Sequence, residues 1–283
     1  MSAVDALQNG DVDAALEALF DEVRAQPDQA KHRIFLFQLL CVAGQWDRAL
    51  TQLNVAHELD PAAAMMANAY QEILRCEAFR EKVFAGTHTP LVFGEPAPWI
   101  AQMLEALQLQ AQGETEAAEA LRGEALEAAP ATPGRLACRS AEGLTSAEEE
   151  PSAEHEFSWI ADGDSRLGPM LELIVNGRYY WAPWDRIAEV VIEPPADLRD
   201  VVWMPAHFRW ANEGEAVGVI PTRYPGSQSQ QDGAIRMARR TAWEETGEQT
   251  YLGVGQRVLV TDEQEFGLMD VRRIVLRGED QPD

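Results

Sequence analysis

Several features that would assign this chain to a familiar class are missing from its sequence. No apolar run approaches the ~20 residues that a membrane-spanning helix needs. The first twenty residues carry acidic groups where a signal peptide would carry basic ones. Cysteine occurs only as Cys41, Cys76 and Cys138, without a Cys-x-x-Cys pair. The sequence therefore predicts a protein of a reducing compartment, with no membrane insertion and no disulfide framework.

Basic residues are also scarce. The formal net charge is −24, and both halves contribute, with 10 basic against 24 acidic residues in 1–150 and 13 against 23 in 151–283. No cluster of basic residues occurs anywhere in the chain. Such a surface repels phosphate backbones and anionic lipid, which argues against a nucleic-acid partner and against peripheral membrane binding.

A search for metal-ligand or catalytic spacing gives almost nothing. Asp162-x-Asp164 resembles the start of an EF-hand loop, but Arg166 occupies the third ligand position and no glutamate closes the loop. The five histidines never fall at metal-ligand spacing. Gly253-x-Gly255 lacks the third glycine of a dinucleotide-binding fingerprint. The sequence predicts no metal site, no cofactor and no enzymatic activity.

An internal repeat organises the first half of the chain, with a glycine, an alanine and a proline recurring at a helical-repeat period. The marks are Gly10, Ala15 and Pro27, then Gly44, Ala49 and Pro61 after 34 residues, and a weaker copy at Gly113, Ala118 and Pro130. A period of 34 residues is typical of tetratricopeptide-like helix–turn–helix units. In the first two copies a leucine follows the alanine, whereas the third copy has Glu119.

Two further helices are predicted between and within these repeats. Residues 64–84 have the pattern of one long amphipathic helix, and Pro98 is placed to open the next helix at its first turn. The apolar stripe of that second helix includes Trp99 and Met103. Residues 134–156 are poor in apolar groups and contain an acidic cluster, which predicts a linker between a helical domain (1–133) and a second domain (157–283).

The second domain is predicted from a strong hairpin signal. Asn176-Gly177 supplies the positive φ angles of a two-residue turn, which pairs Val175 with Arg178. Both faces of this hairpin are apolar, so it must lie inside a larger sheet. Further strands are predicted at 187–192, 201–204, 216–220, 257–261 and 271–276, with a short helix at 232–240. The fold class is therefore two-domain, a tetratricopeptide-like helical domain followed by an α+β domain with a mostly antiparallel sheet.

All 13 basic residues of 151–283 are arginine, and six of the eight tryptophans lie there. Arginine binds carboxylates with two parallel hydrogen bonds and stacks on aromatic rings. Two interpretations remain open: a buried arginine–carboxylate network with tryptophans in the core, or a rigid docking face.

The sequence also resembles a known family over essentially its whole length. The segments FSWIADGDSRLGPMLELIVNGRYYWAPWDRI, PADLRDVVWMPAHF, IPTRYPGS and GQRVLVTD are similar to the ImpE accessory proteins of bacterial type VI secretion, also called TagJ or SciE-type proteins. The positions that match the family motifs are Asp162, Asp164, Arg166, Leu167, Gly168, Pro169, Trp181, Pro183, Arg199, Trp203, Pro205, Pro221, Tyr224, Gly255 and Gln256.

The resemblance implies a cytoplasmic, non-catalytic adaptor. Its implied partner is the small subunit of the contractile sheath, bound through a helix near that subunit's N-terminus, with an accessory link to the AAA+ ATPase that dismantles spent sheaths. For a groove that accepts such a helix, Phe93, Trp99 and Met103 are candidate lining residues, and ordinary core positions are the alternative for each. Two other functions stay open: an enzyme with a site around Asp164, Arg166 and Tyr224, and a purely structural assembly subunit.

Overall fold

The computed structural model describes residues 2–95, 97–139 and 154–277, and the chain folds into a helical region followed by a mostly antiparallel sheet domain, as predicted. The helices of the first region are α1 (Ala3–Gln8), α2 (Val12–Ala25), α3 (Ala30–Val42), α4 (Trp46–Leu59), α5 (Ala64–Phe84), α6 (Pro98–Ala111) and α7 (Thr115–Ala128). Within the described residues, none of the helices is long and apolar enough to cross a membrane.

The three copies of the sequence repeat are three helical hairpins, α1–α2, α3–α4 and α6–α7, with α5 standing between the second and third. Each hairpin turns at the repeat glycine, and Gly10, Gly44 and Gly113 have φ angles of 79°, 70° and 84°. A residue without Cβ adopts this left-handed conformation at little cost. The repeat alanines Ala15, Ala49 and Ala118 are all buried, as close helix packing requires.

The third hairpin departs from the other two where its sequence does. Glu119 stands at the position that leucine occupies in the first two copies. Its carboxylate accepts backbone N–H groups of Glu248 and Gln249, in the turn of a sheet-domain hairpin. The weak third copy is thus a repeat hairpin in which one apolar contact is replaced by a contact to the second domain.

The sheet domain contains one large sheet and two small ones. Its strands are β1 (Leu91–Val92), β2 (Gly134–Cys138), β3 (Glu154–Phe157), β4 (Ile160–Asp162), β5 (Met170–Val175), β6 (Arg178–Pro183), β7 (Ile187–Ile192), β8 (Trp203–Trp210), β9 (Glu215–Pro221), β10 (Thr241–Glu245), β11 (Tyr251–Gly255), β12 (Val258–Thr261), β13 (Glu265–Gly267) and β14 (Val271–Leu276). The nine-stranded sheet has the order β1-β6-β5-β9-β8-β7-β14-β2-β3, beside the sets β10-β11 and β13-β12-β4. Within the described part of this large sheet, β1–β6 is the one parallel pair.

The predicted hairpin is β5–β6, and its register is as expected, with Val175 opposite Arg178 and Leu173 opposite Tyr180. Asn176 and Gly177 have φ angles of 51° and 68°. Both faces are buried. Ile174, Tyr179 and Trp181 join the core that packs against the helices, while Leu171, Leu173 and Val175 join the core on the other face of the sheet. The hairpin therefore separates the two hydrophobic cores of the molecule.

Two predictions of local structure are corrected. Residues 134–138, assigned to the linker 134–156, form β2 inside the large sheet, and 154–156 belong to its edge strand β3. β2 has too few apolar residues for its sequence to predict a strand, although Leu136 is fully buried. The acidic cluster, and 140–153 generally, lie outside the described residues.

The strand predicted to end before Pro205 continues through it. Residues Leu198–Val201 form a 3₁₀ turn, and β8 then runs from Trp203 to Trp210. The carbonyl of Pro205 accepts the N–H of Glu193, which lies just beyond the last residue of β7. The missing proline N–H faces the same neighbour, so it costs only the reciprocal bond to Glu193, beyond the end of β7. The predicted short helix is present as α8 (Gly233–Arg236).

Candidate functional site

The motif segment from Asp162 to Pro169 is a tight turn that its own carboxylates hold together. Asp162 Oδ1 accepts the N–H of Asp164, and Asp164 Oδ1 accepts the N–H of Arg166 at 2.9 Å. The Arg166 guanidinium also binds the Asp164 carboxylate, with its Nε 2.8 Å from Oδ1. The turn closes where Asp162 N–H donates to the carbonyl of Gly168, which has a φ of 52°. The two aspartate side chains accept backbone N–H groups that have no backbone partner in the turn.

A fully buried ion cluster lies beneath this turn. Arg257 of the sheet domain binds both Asp162 and Glu172, and all three side chains are inaccessible to solvent. Glu172 also receives Arg80 of α5 in a two-pronged contact, Nε to Oε1 at 2.6 Å and Nη2 to Oε2 at 3.0 Å. Tyr224 donates its hydroxyl to Asp162 at 2.9 Å. The cluster therefore connects helix α5 to the motif turn through alternating charges.

The electrostatics of this cluster differ between its two carboxylates. Burial raises the pKa of Asp162 to about 6, although Arg257 opposes the shift. Burial would also raise the pKa of Glu172, but its two arginine neighbours, Arg80 and Arg257, lower it to about 2. Burial raises the pKa of the Tyr224 hydroxyl well above its ordinary value. Glu172 is the carboxylate that the surrounding cations stabilise most in its charged form.

Other motif residues join the same junction between helices and sheet. Trp203 donates its indole N–H to Glu77 of α5 at 2.8 Å, and its ring packs against Tyr70 and Trp46. The Arg199 guanidinium lies 4.7 Å from the centroid of the Tyr70 ring. These contacts place two motif positions against the helical region, although the motifs themselves lie entirely in the second domain.

The remaining motif positions support the backbone around the cluster. Leu167 and Trp181 are fully buried, and Pro183 and Pro221 end β6 and β9. The carbonyl of Pro221 accepts Arg257 Nε at 2.9 Å. Gly255 has a φ of 95°, and a Cβ there would lie 2.0 Å from the Arg240 carbonyl oxygen. The side-chain amide of Gln256 bonds Ala238 and Met269.

The three candidate groove residues do not form one surface. Trp99 and Met103 are 5% and 1% exposed and belong to the core between helices and sheet. Phe93 stacks on Trp210 with ring centroids 4.0 Å apart and packs against the other core. The apolar stripe of α6 faces inward, so Trp99 and Met103 match the alternative reading as core residues and do not line an open groove.

An apolar groove does lie next to the motif turn, and sequence reasoning missed it. Its volume is about 510 Å³. The helical side contributes Leu126, Ala129 and Pro130, and the sheet side contributes Trp159, Ile160, Ala161 and Val260. The motif turn completes the lining with Asp162, Gly168 and Pro169, among others. We call this the Leu126–Trp159 groove.

The glycines of the motif turn allow neighbouring side chains to approach its backbone closely. A Cβ on Gly168 would lie 3.0 Å from Leu126 Cδ2 and 3.5 Å from Met103 Cε. A Cβ on Gly163 would lie 2.8 Å from the Trp243 ring. The turn therefore lets α7 on one side and Trp243 on the other approach its backbone directly. Met103 lies close to Gly168 but is not one of the residues that line the groove.

The atoms proposed for an enzymatic site are already engaged in structural contacts. Asp164 holds Arg166 and accepts the N–H of Gly253, and the Tyr224 hydroxyl bonds Asp162 and the N–H of Val258. Among the described residues, no group of three histidine, cysteine or acidic side chains is arranged to hold a metal ion. The geometry offers these side chains a structural role in the turn.

Glu172, Arg257 and Arg80 complete the cluster, but sequence reasoning did not select them. The one available signal was Glu172, a charged residue in the middle of an apolar strand whose two faces are both buried. A buried carboxylate requires a cation partner. The abundance of arginine in the domain indicated that the partner would be an arginine. The sequence did not indicate which arginines, because Arg80 and Arg257 are far from Glu172 along the chain.

The fold and the cluster together define a two-part protein, helical hairpins docked on a largely antiparallel sheet through buried ion pairs. Residues 154–275 match the ImpE protein family. The chain is 47% identical, over 97% of its length and 90% of the relative's, to the type VI secretion system accessory component TagJ of Pseudomonas aeruginosa. It therefore belongs to the ImpE family.

A solved structure shares the whole fold. The crystal structure of a protein from Vibrio parahaemolyticus superimposes with a TM-score of 0.83 at 25% sequence identity, covering 98% of both chains. The helical region and the sheet domain are both included in that correspondence, because the matched fraction leaves out almost nothing of either chain.

Proposed function

We propose that this protein is a non-catalytic, cytoplasmic adaptor of type VI secretion that binds the small contractile-sheath subunit through a helical peptide. One observation carries the proposal: 47% identity over 97% of the chain with a type VI secretion accessory component. Identity at that level, maintained over both domains, supports the same kind of role. The AAA+ ATPase that dismantles spent sheaths is the second proposed partner.

The physical properties of the molecule are compatible with peptide capture. Helical hairpins present extended faces suited to an amphipathic helix. The net charge of −24 disfavours nucleic acid and anionic lipid as competing partners. In the enzyme alternative, Asp164, Arg166 and Tyr224 would have to leave the contacts that hold the motif turn. No comparable cost attaches to an adaptor role.

Co-purification tests the proposal directly. The tagged full-length chain is expressed with its cognate small sheath subunit, either complete or without the N-terminal helix. We expect retention of the complete subunit at micromolar concentrations and loss of retention without the helix. Retention of neither form, or equal retention of both, would overturn the proposed function. Light scattering on the same sample addresses the assembly-subunit alternative, which requires a stable homo-oligomer.

A further inference from the structure

We infer that the Leu126–Trp159 groove is the docking surface of this protein for an amphipathic helix with aliphatic anchors and basic flanking residues. The inference rests on the proposed function and assigns it a place in the molecule. The groove lies where α7 of the helical region meets β4, β12 and the motif turn of the sheet domain. Neither domain alone would form it.

Large apolar side chains are exposed at this groove. Leu126 is 45% exposed and Trp159 is 39% exposed, although both border residues that are buried. Trp243, also 39% exposed, packs against Gly163, which is one of the lining residues. Exposed tryptophan and leucine around a concavity are typical of a surface that a partner covers. The volume of about 510 Å³ fits more than one aliphatic side chain.

The geometry of β4 favours a helix over an extended strand as the occupant. β4 pairs with β12 on one side, through Leu259 and Asp162. On its other side the Asp162 N–H already donates to the Gly168 carbonyl at 2.7 Å. An added strand would have to compete with that bond to extend the small sheet. A helix needs no backbone hydrogen bonds from the groove, because its own are satisfied internally.

Charge decides what should flank the apolar anchors. Among the described residues that line the groove, only Asp162 is charged, and its carboxylate is buried against Arg257. Exposed acids adjoin the lining on both sides: Glu127 follows Leu126 on α7, and Asp262 lies beyond β12, bonded to the N–H of Ser158 beside Trp159. Arg166 beside the groove is paired with Asp164 and Arg122 is buried, so these exposed charges, Glu127 and Asp262, are both negative. Lysine or arginine at the ends of the bound helix would complement them.

Fluorescence anisotropy with a labelled peptide that spans the N-terminal helix of the cognate small sheath subunit tests the assignment. The variants of the full chain are Leu126→Glu and Trp159→Ala. The matched control is Leu59→Glu, because Leu59 is 41% exposed on a helix and lies outside the groove. We expect each groove variant to bind the peptide at least tenfold more weakly, and the control to bind like the wild type. All variants should keep the wild-type melting temperature to within a few degrees.

The outcomes separate the groove from the function. If the wild type binds the peptide and both groove variants bind equally well, the groove assignment is wrong and the adaptor role stands. If the wild type does not bind, the proposed function itself fails. A change of oligomeric state in Leu126→Glu, with peptide binding unaffected, would assign the groove to a second copy of this chain and overturn the inference.

Two altered peptides test the chemistry of the occupant. Replacement of the flanking basic residues by glutamine should weaken binding severalfold at low salt and by less at high salt, because Glu127 and Asp262 contribute through long-range attraction. A central proline should abolish binding if the peptide docks as a helix. Unchanged binding of the first peptide would refute the charge complementarity, and unchanged binding of the second would refute the helix.

Discussion

The helical region and the sheet domain differ in where their buried charged side chains find their partners. The helical region has three buried charged side chains, Glu77, Arg80 and Arg122, among its described residues. Each one faces the other domain: Glu77 binds Trp203, Arg80 binds Glu172, and Arg122 donates to Thr250. The sheet domain also buries acids and arginines against one another, around Asp162, Glu172 and Arg257. Its buried Arg223 and Arg236 bind the helical region, at the carbonyl of Val42 and the carboxylate of Asp13.

This difference shows what buried charge does in the molecule. The interior of the helical region is apolar, and repeated alanines and leucines suffice to pack its hairpins. Among the described residues, buried charge appears in that region only where a side chain contacts the second domain. A buried ion pair adds little net stability over an apolar pair, but an unmatched partner is costly. We infer that the cluster fixes how the two domains meet, and with that the shape of the groove between them.

The largest expected effect comes from removing the cation at the centre of the cluster. Arg257→Met leaves Asp162 and Glu172 buried beside one missing partner, and we expect a loss of about 3–5 kcal/mol in the free energy of unfolding. The matched control is Arg209→Met, whose partner Glu189 also binds Arg273 and whose side chain is 41% exposed. That control should lose less than about 1 kcal/mol. Chemical denaturation measures both, and equal losses would contradict the comparison.

A second effect follows from the pKa of Glu172, which falls to about 2 in the folded protein from an ordinary 4.5. The folded state therefore binds fewer protons at this site than the unfolded state, and the charged form contributes stability fully above about pH 4.5. That contribution is lost as pH falls from 4.5 toward 2. The difference in unfolding free energy between wild type and Glu172→Gln should be widest at neutral pH and shrink through that window. A difference that stays constant would refute the assignment.

Much of the fold follows from local patterns in the sequence. The repeat glycines Gly10, Gly44 and Gly113 mark turns because a tight turn between two helices needs a residue in the left-handed backbone conformation. That need concerns a single residue, so the local sequence reveals it. The β5–β6 hairpin follows from Asn176-Gly177 for the same reason. Its burial on both faces also follows from the sequence, because apolar residues on both sides of a ribbon must be covered.

The candidate site could not be predicted in the same way, because its parts are distant in sequence. Arg80 and Glu172 are 92 residues apart, and Asp162 and Arg257 are 95 apart. No periodicity links such positions. Trp99 and Met103 show why the choice between groove and core stayed open: a helical apolar stripe has the same spacing whether it faces a partner or the protein's own core, and only the tertiary structure distinguishes the two.

A smaller loss is expected at the contact between Trp203 and Glu77. Trp203→Phe keeps an aromatic ring against Tyr70 but removes the indole N–H that Glu77 accepts at 2.8 Å. The Glu77 carboxylate remains buried and loses one of its hydrogen-bond donors, keeping the one from Arg80, so we expect a loss of about 1–3 kcal/mol. Trp243→Phe is the control, since its ring is partly exposed. A Trp203 variant as stable as the control would show that the domains dock without this bond.

The smallest effect is expected at the turn of the β5–β6 hairpin, within one domain. Asn176 has a φ of 51°, a conformation that costs a residue with an ordinary side chain about 1 kcal/mol more than asparagine or glycine. Asn176→Ala should lower the free energy of unfolding by about that amount, and Asn176→Gly should not lower it. Asn68→Ala is the control on the exposed face of α5, where alanine is the better helix former and stability should hold or rise slightly. Equal responses at positions 176 and 68 would mean that the turn conformation contributes nothing to stability. The two buried faces of the hairpin would then determine its register by themselves.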